Sequence, residues 1–271
     1  METTLDPQQA YITKIGASHV VIDEGGNRME FLDSRFYQTE DGPMVPSVTT
    51  ILDAWPKGAQ YYEWLKKHGE HADEIRDDAG RRGSVVHNLT EQFDRGEEVC
   101  AIDKNGSALY SRAEWAMFER YVEFVERFKP EMIAIELNLA SAELGYGGTL
   151  DRLMRINDEL WLVDIKTSGA VYDHYHLQTV AYANLLMNAD RIDIVDWAGL
   201  RRGILWLNAK TRTEGKGDAI QGPGWQMVES ARPIEKDEEL FNACQQIWKV
   251  ANENIKPKNI IYKLKHKKQW D

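Results

Sequence analysis

The sequence predicts an α/β protein with a central mixed β-sheet flanked by helices and a small N-terminal β element. Three observations carry that expectation. Helical patterning dominates residues 59–128, and three strand-like segments then follow one another between 132 and 167. A helix near 174–188 separates these from strands near 192–207 and 225–230, before a last helix near 235–252. Helices around an uninterrupted strand run suit a covered mixed sheet.

In chain order, residues 11–40 alternate apolar and polar positions around Gly25-Gly26 and read as short strands. Gly42-Pro43 and Pro46 break that element, and Ser47 is placed to cap a short helix through Val48, Ile51 and Leu52. Helices are expected over 59–68, 70–94 and 107–128. The last carries Trp115, Phe118, Tyr121, Val122 and Val125 on one face and stops before Pro130. The chain divides into an N-terminal β extension (1–45), a main domain (46–255) and a C-terminal tail (256–271). Neither internal repeats nor low-complexity linkers interrupt it.

The segment 148–167 concentrates the chemistry. Asn157-Asp158 is suitable two-residue turn material between apolar runs. With Ile156 paired to Glu159, Asp151 falls opposite Asp164, where like charges are destabilising. A divalent cation between the carboxylates removes that repulsion. Strand alternation sends Asp164 and Lys166 to one face and Ile165 to the other. Leu160, Trp161, Leu162, Val163 and Ile165 make the second strand apolar on both sides, as a central covered strand requires. A bare D-x-K triplet is by itself only a salt bridge at a strand end. Glu214-Gly215-Lys216 has the same spacing in a polar, glycine-rich stretch and reads as a solvated loop.

Further candidates flank the hairpin. On the helix through 81–91, Val86, Leu89 and Phe93 form an apolar stripe, with Gly83, His87 and Glu91 beside it at four-residue spacing. His87 is either a cleft ligand or a hydrogen-bonded boundary histidine. Gly83 permits close approach of a ligand or another backbone. Gln178 and Tyr182, one turn apart, suit a wall beside the hairpin, or a helix surface plus a core tyrosine. Glu136 is a further metal or water ligand, or an outward strand residue. Trp55, Tyr61, Tyr62 and Trp64 offer rings on which unpaired bases could stack, although core packing absorbs most tryptophans.

Composition sets bounds. The 271-residue chain has 42% hydrophobic residues, enough for a full core, and lacks any apolar run long enough to span a bilayer. The N-terminus lacks the features of a secretory signal, and two distant cysteines, Cys100 and Cys244, form neither a disulfide framework nor an iron–sulfur cluster. A reducing, cytoplasmic location is expected. Net charge is −11, yet 256–271 carries six lysines against Asp271, so the other 255 residues hold −16. An acidic body does not coat nucleic acid indiscriminately, while the basic tail could grip phosphates.

Six stretches, in order, carry a family resemblance: PSVTTIL at 46–52, GSVVH at 83–87, ELNL at 136–139, GGTLD at 147–151, VDIKTS at 163–168 and QTVAY at 178–182. Together they resemble the PD-(D/E)XK nuclease superfamily, particularly its RecB-like exonucleases and the mitochondrial genome maintenance exonuclease. The resemblance covers about 46–188 and leaves both ends unassigned. It implies a restriction-endonuclease-like core and a metal-dependent phosphodiesterase with Asp151, Asp164 and Lys166 as catalytic residues. It also implies that His87, Asp151, Asp164 and the Ile165 carbonyl hold one or two Mg²⁺ or Mn²⁺ ions, to which Glu136 is the further candidate ligand read from its strand. Gln178, Tyr182, Thr167, Ser84 and Arg82 would contact substrate. Asp164 stands where glutamate is common in RecB-like members, a shorter acid the superfamily accepts.

The function expected is a DNA exonuclease acting in recombination, repair or replication of phage or bacterial DNA. Its partners would be single-stranded DNA or duplex ends, a single-strand-binding or recombination protein, and further copies of itself, with no membrane. Two alternatives stand beside it: a catalytically silent adaptor holding nucleic-acid ends, and an RNase of the same fold.

Overall fold

The computed structural model describes residues 12–15, 18–22, 28–31, 34–39, 43–189, 199–212, 215 and 219–255. An antiparallel meander comes first: β1 (Ile12–Ile15), β2 (Ser18–Ile22), β3 (Arg28–Phe31), β4 (Ser34–Gln38) and β5 (Met44–Pro46). Pro46, expected to break this element, instead closes it by pairing with Phe36 on the edge strand. An edge is where a sheet tolerates a residue without an N–H. Ser47 caps α1 (Val48–Leu52), its hydroxyl accepting the Thr50 N–H at 2.9 Å.

α2 (Ala59–His68), a 3-10 turn over Gly69–His71, and α3 (Ala72–Asp94) follow. α4 spans Arg112–Phe128, five residues later than its expected start. Ser107 belongs to a turn in which its N–H donates to Asp103 Oδ1, whereas Ser111 and Glu114 form a reciprocal capping box at the true N-terminus. The buried residues of α4 are Glu114, Met117, Phe118, Tyr121 and Phe124, a stripe rotated from the one expected.

The main sheet has order β10-β11-β9-β8-β7-β6. Its members are β6 (Glu131–Ser141), β7 (Tyr146–Ile156), β8 (Glu159–Lys166), β9 (Arg201–Trp206), β10 (Gln221–Gly222) and β11 (Trp225–Glu229). Only β8 and β9 pair in parallel, joined through α5 (Asp173–Asn188); α6 (Ile234–Ala251) ends the described fold. The strand expected over 192–207 is observed from Arg201, and 190–198 lie outside the described residues, as do Glu214, Lys216 and the basic tail.

The sheet separates two apolar layers. Leu153, Leu160 and Leu162 face α1, α5 and α6, while Met154, Trp161, Val163 and Ile165 face α3 and α4. β8 therefore buries both faces in alternation, as a strand between two neighbours must. The meander is tied to this body. Tyr37 donates to or accepts from Thr149 at 2.8 Å, and Phe36 packs edge-on against Trp248, so contacts cross the expected 45/46 boundary. Among the described residues no helix is long and apolar enough to cross a membrane.

Candidate metal centre

The β7–β8 hairpin pairs in the register its turn dictates, from Ile156↔Glu159 to Arg152↔Val163. The recorded ladder stops there. Asp151 sits one residue beyond it, and its Oδ2 accepts the Ile165 N–H at 2.7 Å instead of meeting Asp164 across a regular pair. Opening the ladder at this end brings a carboxylate between the two strands.

Asp164 is fully buried, with Oδ2 2.7 Å from Lys166 Nζ. That contact has the length of a charge-assisted pair, and Oδ1 accepts no hydrogen bond from the described residues. Burial pushes its carboxyl above the usual range despite Lys166. Lys166 also donates to Gln178 Oε1 at 3.1 Å, and Gln178 Nε2 donates to the Tyr182 hydroxyl at 2.9 Å. Burial works against the Lys166 ammonium, but the Asp164 and Asp151 carboxylates outweigh it and keep the charge. The Tyr182 ring occupies the space that a Cβ at Gly148 would fill, so only glycine lets the α5 wall close on β7.

From the other side, α3 delivers His87. Its Nε2 lies 3.0 Å from the Ile165 carbonyl, which can only accept, so Nε2 carries the proton. Nδ1 then faces Asp151 Oδ2 at 3.6 Å and Glu136 Oε1 at 3.9 Å. Burial disfavours the imidazolium, but these carboxylates prevail and raise its pKa. One ligand atom from each of His87, Glu136 and Asp151 lies within 4.8 Å of the others, while Asp164 stands outside that trio on the Lys166 side. Glu136 sits between the pairs Ile135↔Arg152 and Leu137↔Leu150, opposite Asp151, and has a left-handed backbone with φ 49°.

A match to the PD-(D/E)XK nuclease superfamily covers residues 59–259, most of the chain and all of this site. The chain belongs to the PD-(D/E)XK nuclease superfamily. It is thus a metal-dependent nuclease by family, and its six-stranded mixed sheet flanked by helices is the restriction-endonuclease-like fold that the motifs imply. No curated protein matches the chain closely enough to name a relative.

The residues of this PD-(D/E)XK chain fit a divalent ion. Asp164 has a buried Oδ1 without a partner and an Oδ2 held only by Lys166 among the described residues, and three further ligand atoms cluster nearby. A buried carboxylate is costly unless paired or metal-bound. Carboxylate, carbonyl and water suit Mg²⁺, and an imidazole in the set favours Mn²⁺.

Arg152 was not among the candidates expected from sequence. Its side chain is completely buried behind the cluster. Nε donates to Asp94 Oδ2 at 2.5 Å, Nη1 to Glu136 Oε1 at 3.0 Å and to the Asp151 carbonyl at 2.6 Å, and Nη2 to Thr90 Oγ1 at 3.0 Å. The Tyr121 hydroxyl donates to Asp94 Oδ2 at 2.5 Å, completing the set. Arg152 so fixes Glu136 and the Asp151 backbone at once. The only available signal was an arginine in an otherwise apolar strand next to Asp151.

The remaining candidates are placed as follows. Thr167 Oγ1 lies 3.4 Å from the point where a Gly83 Cβ would be, so α3 approaches the end of β8 closely there. Ser84 is exposed and its hydroxyl donates to the Gly80 carbonyl at 3.2 Å. Arg82 lies 3.7 Å from Asp78. A separate groove of about 530 Å³ on the outer side of α3 and α4 is rimmed by Glu97, Glu98, Glu119, Glu123 and Glu126, a poor host for a polyphosphate.

Proposed function

We propose that the protein is a RecB-like, Mg²⁺- or Mn²⁺-dependent DNA exonuclease, with Asp151, Asp164 and Lys166 as its catalytic residues. The observation that carries the metal-dependent chemistry is the buried Asp164 carboxylate, paired on Oδ2 with Lys166, without a partner on Oδ1, and close to the His87–Glu136–Asp151 trio. DNA as substrate and exonucleolytic action rest on the ordered motif resemblance.

Asp164 and Asp151 would hold the metal, with His87 Nδ1, Glu136 and the second lone pair of the Ile165 carbonyl available beside them. A bound divalent ion lowers the pKa of its water and offsets charge growing on the phosphoryl oxygens. The protein's own part is geometric and electrostatic. Lys166 remains an ammonium, orients the attacking water and balances charge at the phosphorus. Gln178 fixes Lys166, and Tyr182 fixes Gln178. In this reading 46–255 forms the nuclease domain, 1–45 an extension, and 256–271 a tail that binds phosphates. Action on recombining or repairing DNA in a bacterial or phage-infected cytoplasm, beside a single-strand-binding or recombination protein, completes it.

The test is digestion of 5′- and 3′-labelled single- and double-stranded DNA, with an RNA strand alongside, in Mg²⁺, Mn²⁺ or EDTA. Metal-dependent cutting that Lys166→Ala loses is expected, and a ladder growing from one end would mark exonucleolytic action. Folded wild type that cuts nothing in either metal would overturn the catalytic reading in favour of an end-binding adaptor.

A further inference from the structure

Lys166 touches a second feature that catalysis does not use. Its Nζ lies 4.8 Å from the centroid of the Tyr175 ring, on the first turn of α5. Tyr175 meets Tyr172 edge-on at 5.5 Å and His174 edge-on at 4.7 Å. Tyr172 and His174 are stacked, with centroids 5.8 Å apart and planes within 12°. Tyr172 is nevertheless 48% exposed. Three rings thus run outward from the catalytic ammonium and end in an open aromatic surface.

Building on the nuclease reading, we infer that Tyr172, backed by His174 and Tyr175, is the stacking platform for an unpaired base of the nucleotide next to the scissile phosphate. The chemistry of the surround fits such a ligand. Burial, with Lys57 and Lys166 nearby, lowers the His174 pKa to about 4, so at neutral pH it is an uncharged plate rather than a competing cation. Those two lysines, against the single Asp173 carboxylate, add positive charge near His174 for a neighbouring phosphate. Stacking accepts any base, because every base has a π-face.

Of the rings expected to do this from sequence, Tyr62 is 52% exposed and meets Tyr61 edge-on within α2. Trp55 packs against the α1, α5 and α6 core, and Tyr61 stacks on Trp64 within α2. None of the recorded ring or cation contacts joins that pair to Lys166.

The experiment places 2-aminopurine at successive positions from the end of a single-stranded DNA, with Ca²⁺ as a non-cutting ion, and runs the digestion assay in parallel. Wild type and Tyr172→Phe should quench the probe at one position. Tyr172→Ala should lose that quench and bind the strand roughly 5- to 100-fold more weakly, the range typical of one base–aromatic stack. An abasic residue at that position should erase the difference between wild type and Tyr172→Ala. Equal quenching and affinity in Tyr172→Ala overturn the platform even if the wild type cuts DNA. Quenching that depends on Tyr172 in a protein that never cuts would keep the platform and remove the nuclease reading. Neither quenching nor cutting by wild type removes both.

Discussion

Asp94 and Asp164 are both buried carboxylates beside a cation, and they end up in opposite states. Asp94 is closed: Arg152 and Tyr121 both donate to Oδ2 at 2.5 Å, and Arg152 directs three of its four remaining N–H donors to Glu136, the Asp151 carbonyl and Thr90. Asp164 is open, with Lys166 on Oδ2 and no partner on Oδ1 among the described residues. A satisfied buried network stiffens a core, and an unsatisfied one is a standing cost that only function explains. The difference sets a strut apart from the proposed metal site: Arg152 holds Glu136 and the Asp151 backbone, and Asp164 is the carboxylate the proposed ion would pair.

Removing the cation from the closed cluster should have the largest effect. Arg152→Ala strands Asp94 and is expected to cost about 3–5 kcal/mol in chemical denaturation, as breaking a buried pair does. A loss below about 1 kcal/mol would show that the cluster is not a strut. Next, Mn²⁺ at 100 times its dissociation constant should stabilise wild type by about 2.7 kcal/mol. Asp164→Asn should abolish that gain, and a retained gain would place the ion elsewhere.

The open cluster should respond in the opposite sense to the closed one. In EDTA, Asp164→Asn is expected to be more stable than wild type by about 1–3 kcal/mol, since burial and the neighbouring Asp151 outweigh Lys166 in disfavouring the charge it removes. A variant less stable than wild type would mean that the Lys166 pair already compensates Asp164. The last effect concerns His174. Its folded pKa, about 4, lies below its unfolded value of 6.5, so the unfolded chain binds the proton more readily. That contribution to stability is present above about pH 6.5 and is lost as pH falls toward 4. His174→Gln should flatten this part of the pH–stability profile, and an unchanged slope would assign it to another group.

The hairpin was legible because its rules are local. A two-residue turn fixes the register, and alternation then sets Asp164 and Lys166 on one face, as observed through Arg152↔Val163. The start of α4 was equally local and was misplaced only because Ser107 competes with Ser111, whose Glu114 three residues later is the better cap signal. Arg152 lay beyond such reasoning. Its partners Asp94 and Thr90 are 58 and 62 residues away, and nothing in spacing tells an arginine on a strand that a helix will bring it a carboxylate. The left-handed Glu136 was hidden likewise, since its conformation belongs to the β6–β7 ladder rather than to its neighbours in sequence.

The same separations set an order of assembly. Asp151 reaches Ile165 across 14 residues and Lys166 reaches Gln178 across 12, whereas His87 reaches the Ile165 carbonyl across 78. Contacts between distant residues carry the greater loop-closure cost and slow folding. On the ribosome, His87 emerges long before the strand it must meet, and Tyr182 only after it. A truncated or half-made chain could hold its aspartates together by the turn alone and still lack the wall that aims Lys166. The site as a whole would then be assembled only after α5 has been made.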